Sequence, residues 1–176
     1  LLFGGHYVIK NDESDYLTDS DKLFNSLILV NKDMMFEDVY NKTKLLPFTE
    51  EMPGTLFDFV FRIMNLREFD KGDGPKIMKV DNIRFSPSVC YEDIIPDFMR
   101  KSIRVGKDRS NLFINSTNDS WFGETIEPYM HLMISSFRSI ENRKSLVRVT
   151  CTGYSAIVDH LGKITYLSSL SKKEYV

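Results

Sequence analysis

The chain has 176 residues, 42% of them apolar, and a formal charge of −2, enough for one domain with a core of its own. Its Lys and Arg residues are spread along the sequence rather than massed in one stretch, which argues against nucleic acid as a partner. No run approaches the roughly 18 apolar residues of a membrane-crossing helix, and the start Leu1-Leu2-Phe3-Gly4-Gly5 has neither a basic leader region nor a cleavage signal.

The chain opens, without Met, inside a β-type run at residues 1–8, so the protein is expected to extend upstream. Further β-branched and aromatic runs follow at 27–30, 36–40, 77–80, 83–90, 111–115, 146–151, 155–158 and 164–167, each bounded by turn residues. Asp81-Asn82 and His160-Leu161-Gly162 read as hairpin turns. Two segments read as helices. In 93–103, Ile94, Ile95, Phe98, Met99 and Ile103 keep helical spacing, and Pro96 is tolerable only in the first turn. In 128–143, Met130, Met133, Ile134, Phe137 and Ile140 form one apolar stripe beside Arg138 and Glu141. Strands alternating with helices, together with hairpins, indicate an α/β layered domain.

One segment departs from this pattern. Residues 55–66, which follow Pro53-Gly54, are apolar almost all round if helical, apart from the i,i+4 pair Asp58 and Arg62. Two readings stand: a buried core helix, or an arm that meets a membrane surface or a lipid chain.

The chemistry is concentrated in a few short motifs. In Ser86-Pro87-Ser88-Val89-Cys90-Tyr91-Glu92, a thiol stands where a strand gives way to a helix, and backbone N–H groups at such a place favour a thiolate and an oxyanion. Cys90 is therefore either a nucleophile or a buried structural thiol, and Cys151, in an alternating strand, reads as the latter. Thiol attack on an acyl carbon needs a base and a cation near the oxyanion, and no His shares a motif with Cys90. Tyr40-Asn41-Lys42, followed by Leu45-Leu46-Pro47-Phe48-Thr49-Glu50, supplies a Lys at a strand end and then a carboxylate. On their own, these two would read as solvated loop residues. The three His residues and two Cys residues have no metal-ligand spacing, so no metal is expected, and no cofactor either.

Taken together, the motifs around Lys42, Glu50 and Cys90, with Asn115-Ser116-Thr117-Asn118-Asp119-Ser120-Trp121-Phe122-Gly123, resemble the nitrilase (carbon–nitrogen hydrolase) superfamily in order and spacing. The Asn-Asp-Ser-Trp-Phe-Gly run, the His131, Arg138 and Glu141 helix, and Arg148-Val149-Thr150-Cys151-Thr152-Gly153-Tyr154-Ser155 look like its apolipoprotein N-acyltransferase branch. The resemblance implies an α/β fold of the αββα sandwich type, with 1–176 as part of the catalytic domain. It implies a Glu-Lys-Cys triad in which Cys90 matches the nucleophile, Lys42 the lysine and Glu50 the supporting glutamate, while Tyr91 and Glu92 match residues that shape the acyl site. It further implies a bacterial inner-membrane enzyme whose catalytic domain faces the periplasm. Such an enzyme takes an acyl chain from a phospholipid and passes it through a Cys thioester to the N-terminal amine of an apolipoprotein. Segment 56–66, from Leu56 to Leu66, falls where these enzymes carry a hydrophobic arm.

The sequence departs from the family pattern in three ways. It has no Pro-Glu dipeptide, the motif that holds the triad's first glutamate, and the family's flanking membrane helices are missing, so 1–176 alone is expected to be inactive. Thr49 replaces a glycine, and Cys151 an asparagine. Two other functions remain in play: a soluble amidase acting on small amides, and a non-catalytic binding module on the same fold. Retention of Lys42, Cys90 and Glu92 together argues against the module.

Overall fold

In the computed structural model, residues 1–11, 18, 21–47, 49–51, 68–123 and 125–170 are described. The apolar segment 56–66 lies outside them. Strands β1 (Leu2–Ile9), β2 (Lys22–Val30) and β3 (Phe36–Asn41) form an antiparallel three-stranded sheet. A six-stranded sheet is built from β4 (Met78–Val80), β5 (Ile83–Val89), β8 (Leu112–Thr117), β9 (Ser145–Thr150), β10 (Ala156–Val158) and β11 (Ile164–Leu167), in the order β11-β10-β9-β8-β5-β4. Its centre, β5-β8-β9, is parallel, and both ends are antiparallel hairpins.

The strand burial explains the layering. Along β8, Phe113, Asn115 and Thr117 are buried while their neighbours are half-buried, as expected of a strand covered on both faces. One cover is the three-stranded sheet: β2 packs on β5 and β1 on β8, joined by Leu27, Leu29, Phe85, Val89 and Phe113 in one core. At Gly4 the sheets come so close that an added Cβ would stand 2.5 Å from Ser116 Oγ, so a side chain there would force the serine hydroxyl to turn away. The other cover is helical: α1 (Pro96–Ser102) supplies Phe98 and Met99, and α2 (Glu127–Asn142) supplies Leu132. No described helix is long and apolar enough to cross a membrane.

Several expectations are corrected here. The helix expected over 93–103 is split into a 3-10 turn, Cys90–Ile94, and helix α1, because Pro96 has no N–H to continue a helix and sits at its first position. Strand β2 begins at Lys22, five residues before the run at 27–30, and a short hairpin, β6 (Arg104–Val105) and β7 (Asp108–Arg109), was not foreseen. The apolar stripe of α2 is not its inward face. Met130, Met133, Ile134, Phe137 and Ile140 are all exposed, whereas His131, Leu132, Ser135, Ser136, Arg138 and Ser139 are buried. Small serines let the helix lie close to the sheet, and the charged groups among them are paired.

Candidate active site

The parallel strands β5, β8 and β9 end together, and the carboxyl ends of parallel strands are where α/β sheets carry their sites. Cys90 follows β5 at this edge and is half-buried. Its φ of 53° is left-handed, a conformation that costs a non-glycine residue on the order of 1–3 kcal/mol and persists only when its surroundings enforce it. Two contacts do so. Asn115 Nδ2 donates to the Cys90 carbonyl at 3.0 Å, and Val89 N–H, immediately before the turn, donates to Glu92 Oε2 at 2.8 Å.

Glu92 anchors the turn to the other sheet. Its fully buried carboxylate accepts from Tyr40 Oη at 2.9 Å and from the Thr43 and Lys44 amides, both at 2.8 Å. Burial raises its pKa above the usual carboxylate value, against the lowering effect of those amides and of Val89. Tyr91 adds a second tie, donating from its hydroxyl to the Leu45 carbonyl at 3.1 Å. The loop after β3 is thereby clamped against the turn that carries Cys90.

That clamp brings Lys42 in. Lys42 is fully buried, its ammonium 5.3 Å from the centroid of the Tyr91 ring, and it donates to Glu50 Oε2 at 2.6 Å. The Glu50 carboxylate is itself spoken for: Oε2 also accepts from Leu46 N–H at 2.8 Å, and Oε1 from Asn25 Nδ2 at 2.8 Å. An ammonium has three N–H donors, and among the described residues one is engaged. The arrangement therefore holds a cation with spare donors over Tyr91, the residue after Cys90, and an ammonium so held is a means of stabilising negative charge on a carbonyl oxygen. The five residues expected at a site, Cys90, Lys42, Glu50, Tyr91 and Glu92, are all brought to this edge.

A second cluster was not anticipated. Arg148, Asp93 and Asp119 are all fully buried. Arg148 donates to Asp93 Oδ2, to Asp119 Oδ2 at 3.0 Å and to Asn115 Oδ1 at 3.2 Å. His131 sits between the carboxylates, its Nδ1 3.1 Å from Asp119 and its Nε2 3.0 Å from Asp93. Burial alone would lower the His131 pKa, but its bonds to Asp119 and Asp93 outweigh that and raise it to about 9. Burial likewise works against Asp119, whose pKa is nonetheless lowered by His131 and Arg148. Through Asn115 this network reaches the carbonyl of Cys90. The available signal was Arg148, which shares the inward parity of β9 with the buried Leu146.

Beside the cluster, Ser120–Phe122 form a 3-10 turn that leaves Trp121 78% exposed at the rim of this edge. Cys151 lies just beyond β9 and is exposed, which corrects its reading as a buried structural thiol: the strand ends at Thr150, so no further layer covers the side chain. Neither cysteine is in a disulfide.

A thiol just after a parallel strand, next to a tyrosine whose ring lies by a buried, glutamate-held lysine, in a two-sheet α/β sandwich, prompts comparison with known proteins. Residues 4–176 match the carbon–nitrogen hydrolase family model, and the chain belongs to that family. Within it, the chain is similar to apolipoprotein N-acyltransferases: 36% identical over 171 residues to that of Bdellovibrio bacteriovorus, covering 93% of this chain and 30% of the relative. The enzyme of Rickettsia prowazekii is 33% identical over 162 residues, 90% of this chain and 32% of the relative. The chain thus spans about a third of the length of these curated relatives. Among solved structures, a carbon–nitrogen hydrolase superfamily protein from Xanthomonas campestris, with an arsenic adduct in its active site, shares the fold at a TM-score of 0.62 and 19% identity, over 95% of this chain and 58% of that one.

Proposed function

We propose that the protein is an apolipoprotein N-acyltransferase of a bacterial inner membrane, its catalytic domain facing the periplasm, and that Cys90 carries the acyl group. The observation that carries this reading is the buried Lys42, held by Glu50 beside the turn that forces Cys90 into a left-handed conformation. In the first half-reaction the Cys90 thiol loses its proton to a carboxylate, and Sγ attacks the ester carbonyl of a phospholipid. The oxyanion gathers the free donors of Lys42. As the C–O bond breaks, the proton returns to the departing alkoxide, giving a lysophospholipid and an acyl-Cys90 thioester. In the second half-reaction the α-amine of a diacylglyceryl-cysteine apolipoprotein attacks that thioester. The amine's proton passes through the same carboxylate to the Cys90 sulfur, leaving an amide and a free thiol.

The proton-carrying carboxylate is assigned to a part of the protein outside these 176 residues. Both oxygens of Glu50 and both of Glu92 already accept hydrogen bonds, which suits them to orient Lys42 and the turn and not to shuttle a proton. Tyr91 and Glu92 are proposed to shape the acyl site, Tyr91 as a wall and Glu92 from beneath. Residues 1–176 alone are accordingly expected to transfer no acyl groups.

The test uses full-length protein incubated with a phospholipid that carries a labelled acyl chain, followed by mass spectrometry of the peptides. A thioester on Cys90, discharged by a diacylglyceryl peptide, is the expected result. Label on Cys151 with Cys90 unmodified sinks the assignment, and turnover of small amides without acyl transfer would make the protein an amidase instead.

A further inference from the structure

We propose a phosphate-binding site at the opposite end of the six-stranded sheet from Cys90, in a depression of about 280 Å³ lined by Arg100, Ile103, Arg104, Arg109, Ser110 and Lys144. The cations that look scattered in sequence are gathered here by the fold. Arg100 is in the last turn of α1, Arg104 and Arg109 face each other across the β6–β7 hairpin, and Lys144 lies in the turn between α2 and β9. Arg100 has an exposed partner in Asp97 at 3.2 Å; Arg104, Arg109 and Lys144 form no ion pair among the described residues. The nearest carboxylate in the hairpin, Asp108, is turned to Lys79 at 3.4 Å.

The second observation is independent of charge. Ser110 is 1% exposed, lines the same depression, and its Oγ has no hydrogen-bond partner. Buried hydroxyls are normally bonded, so a hydroxyl without a partner in a depression lined by cations is a donor open to an anion. Guanidinium groups and a hydroxyl donor lining one depression suit the several acceptor oxygens of a phosphate group, and the volume also admits several waters at about 30 Å³ each. Ser110 and Lys144 precede the parallel strands β8 and β9, whose far ends lie beside Cys90. Strand length therefore separates the site from the thiol by roughly 20 Å, too far to hold the headgroup of a lipid whose ester is being attacked. The phosphate belongs either to a soluble phosphate or phosphate ester, or to an anionic lipid of a bilayer.

Isothermal titration of the full-length protein with inorganic phosphate, at an ionic strength held by chloride, distinguishes these. Saturable binding is expected, weakened about tenfold by Arg104→Gln and by a smaller factor by Ser110→Ala, with Lys22→Gln on the other sheet unchanged. In a parallel arm, partition onto phosphatidylglycerol vesicles is compared with phosphatidylcholine vesicles. A preference for phosphatidylglycerol that Arg104→Gln removes assigns a lipid headgroup; phosphate binding with no such preference assigns a soluble ligand. The proposal is overturned if neither probe binds, or if binding is indifferent to both Arg104→Gln and Ser110→Ala.

Discussion

Two buried ionic clusters lie close together at the carboxyl edge of the sheet, and they differ in how completely their groups are used. In the first, Lys42 has one carboxylate partner among the described residues, Glu50, which leaves two donors of its ammonium unengaged by them. In the second, both nitrogens of His131 and both carboxylates of Asp93 and Asp119 are consumed internally. Charge is balanced in each: one ammonium against one carboxylate, and one guanidinium with one imidazolium against two carboxylates. A balanced cluster with spare ammonium donors can receive a substrate's charge, whereas one whose imidazole and carboxylates are all engaged internally fixes positions, even with Arg148 Nε left without a partner among the described residues. On the proposed function the first cluster serves chemistry at Cys90, and the second, which reaches the Cys90 carbonyl through Asn115, serves the framework.

The contrast fails most visibly if the first cluster turns out to be only structural. Cys90→Ala is expected to abolish acyl transfer, and Lys42→Ala to lower it by about 10²–10³, the usual cost of one oxyanion donor. Lys44 lends only its backbone amide to Glu92, so Lys44→Ala should leave the rate near that of the unaltered protein. Rates measured beside circular dichroism spectra check this, and equal losses at 42 and 44 would remove Lys42 from the mechanism.

The converse holds for the second cluster. Arg148→Met leaves Asp93 and Asp119 buried with half their partners, so stability should fall by about 3–5 kcal/mol, a drop of roughly 10 °C in Tm. Calorimetry of the full-length protein decides it. A stable Arg148→Met variant with lost activity would mean that the second cluster too takes part in the reaction.

How far the two clusters could be read from sequence differs for the same reason. Cys90, Lys42 and Glu50 stand in short motifs whose order survives in one dimension, and the strands that carry them have apolar patterns with clear ends. The Asp93, Asp119, His131 and Arg148 set is drawn from a 3-10 turn, a loop, a helix and a strand, so no local pattern holds it. Helix α2 shows the difficulty: hydrophobic periodicity gave the phase of its apolar stripe, but its inward face is instead serine, leucine and histidine. Periodicity finds a face and assumes that it is the buried one; a helix seated over an ionic network inverts that assumption. The turn at Gly106-Lys107 was too short to register beside its longer neighbours.

A smaller effect sharpens the account of the second cluster through pH. The folded-state pKa of His131 lies at about 9, above its unfolded value of about 6.5. Its contribution, on the order of 3 kcal/mol, is fully present below pH 6.5 and is lost as the pH rises through 9. Denaturant midpoints between pH 6 and 10 should therefore fall, and His131→Gln should flatten that part of the curve. An equally steep fall in the variant would assign the slope to other groups.

The smallest expected effect concerns the two thiols. Cys151 is the more exposed, and its backbone N–H donates to the Thr117 carbonyl at 3.1 Å. Cys90 is half-covered but lies in the turn, next to Tyr91, against which the loop carrying Lys42 is clamped. Exposure and placement thus point to different cysteines, and two reagents separate them. Brief treatment with iodoacetamide, a small neutral electrophile that needs little more than access, should modify Cys151 ahead of Cys90. Phospholipid needs an oxyanion site as well as access, so its acyl chain should appear on Cys90 alone. Cys151→Ser, a change at an exposed position outside any strand, should shift stability by no more than about 0.5 kcal/mol and leave acyl transfer as it was. A loss of transfer in Cys151→Ser would tie the end of β9 to the reaction, and with it the network that Arg148 anchors on the same strand.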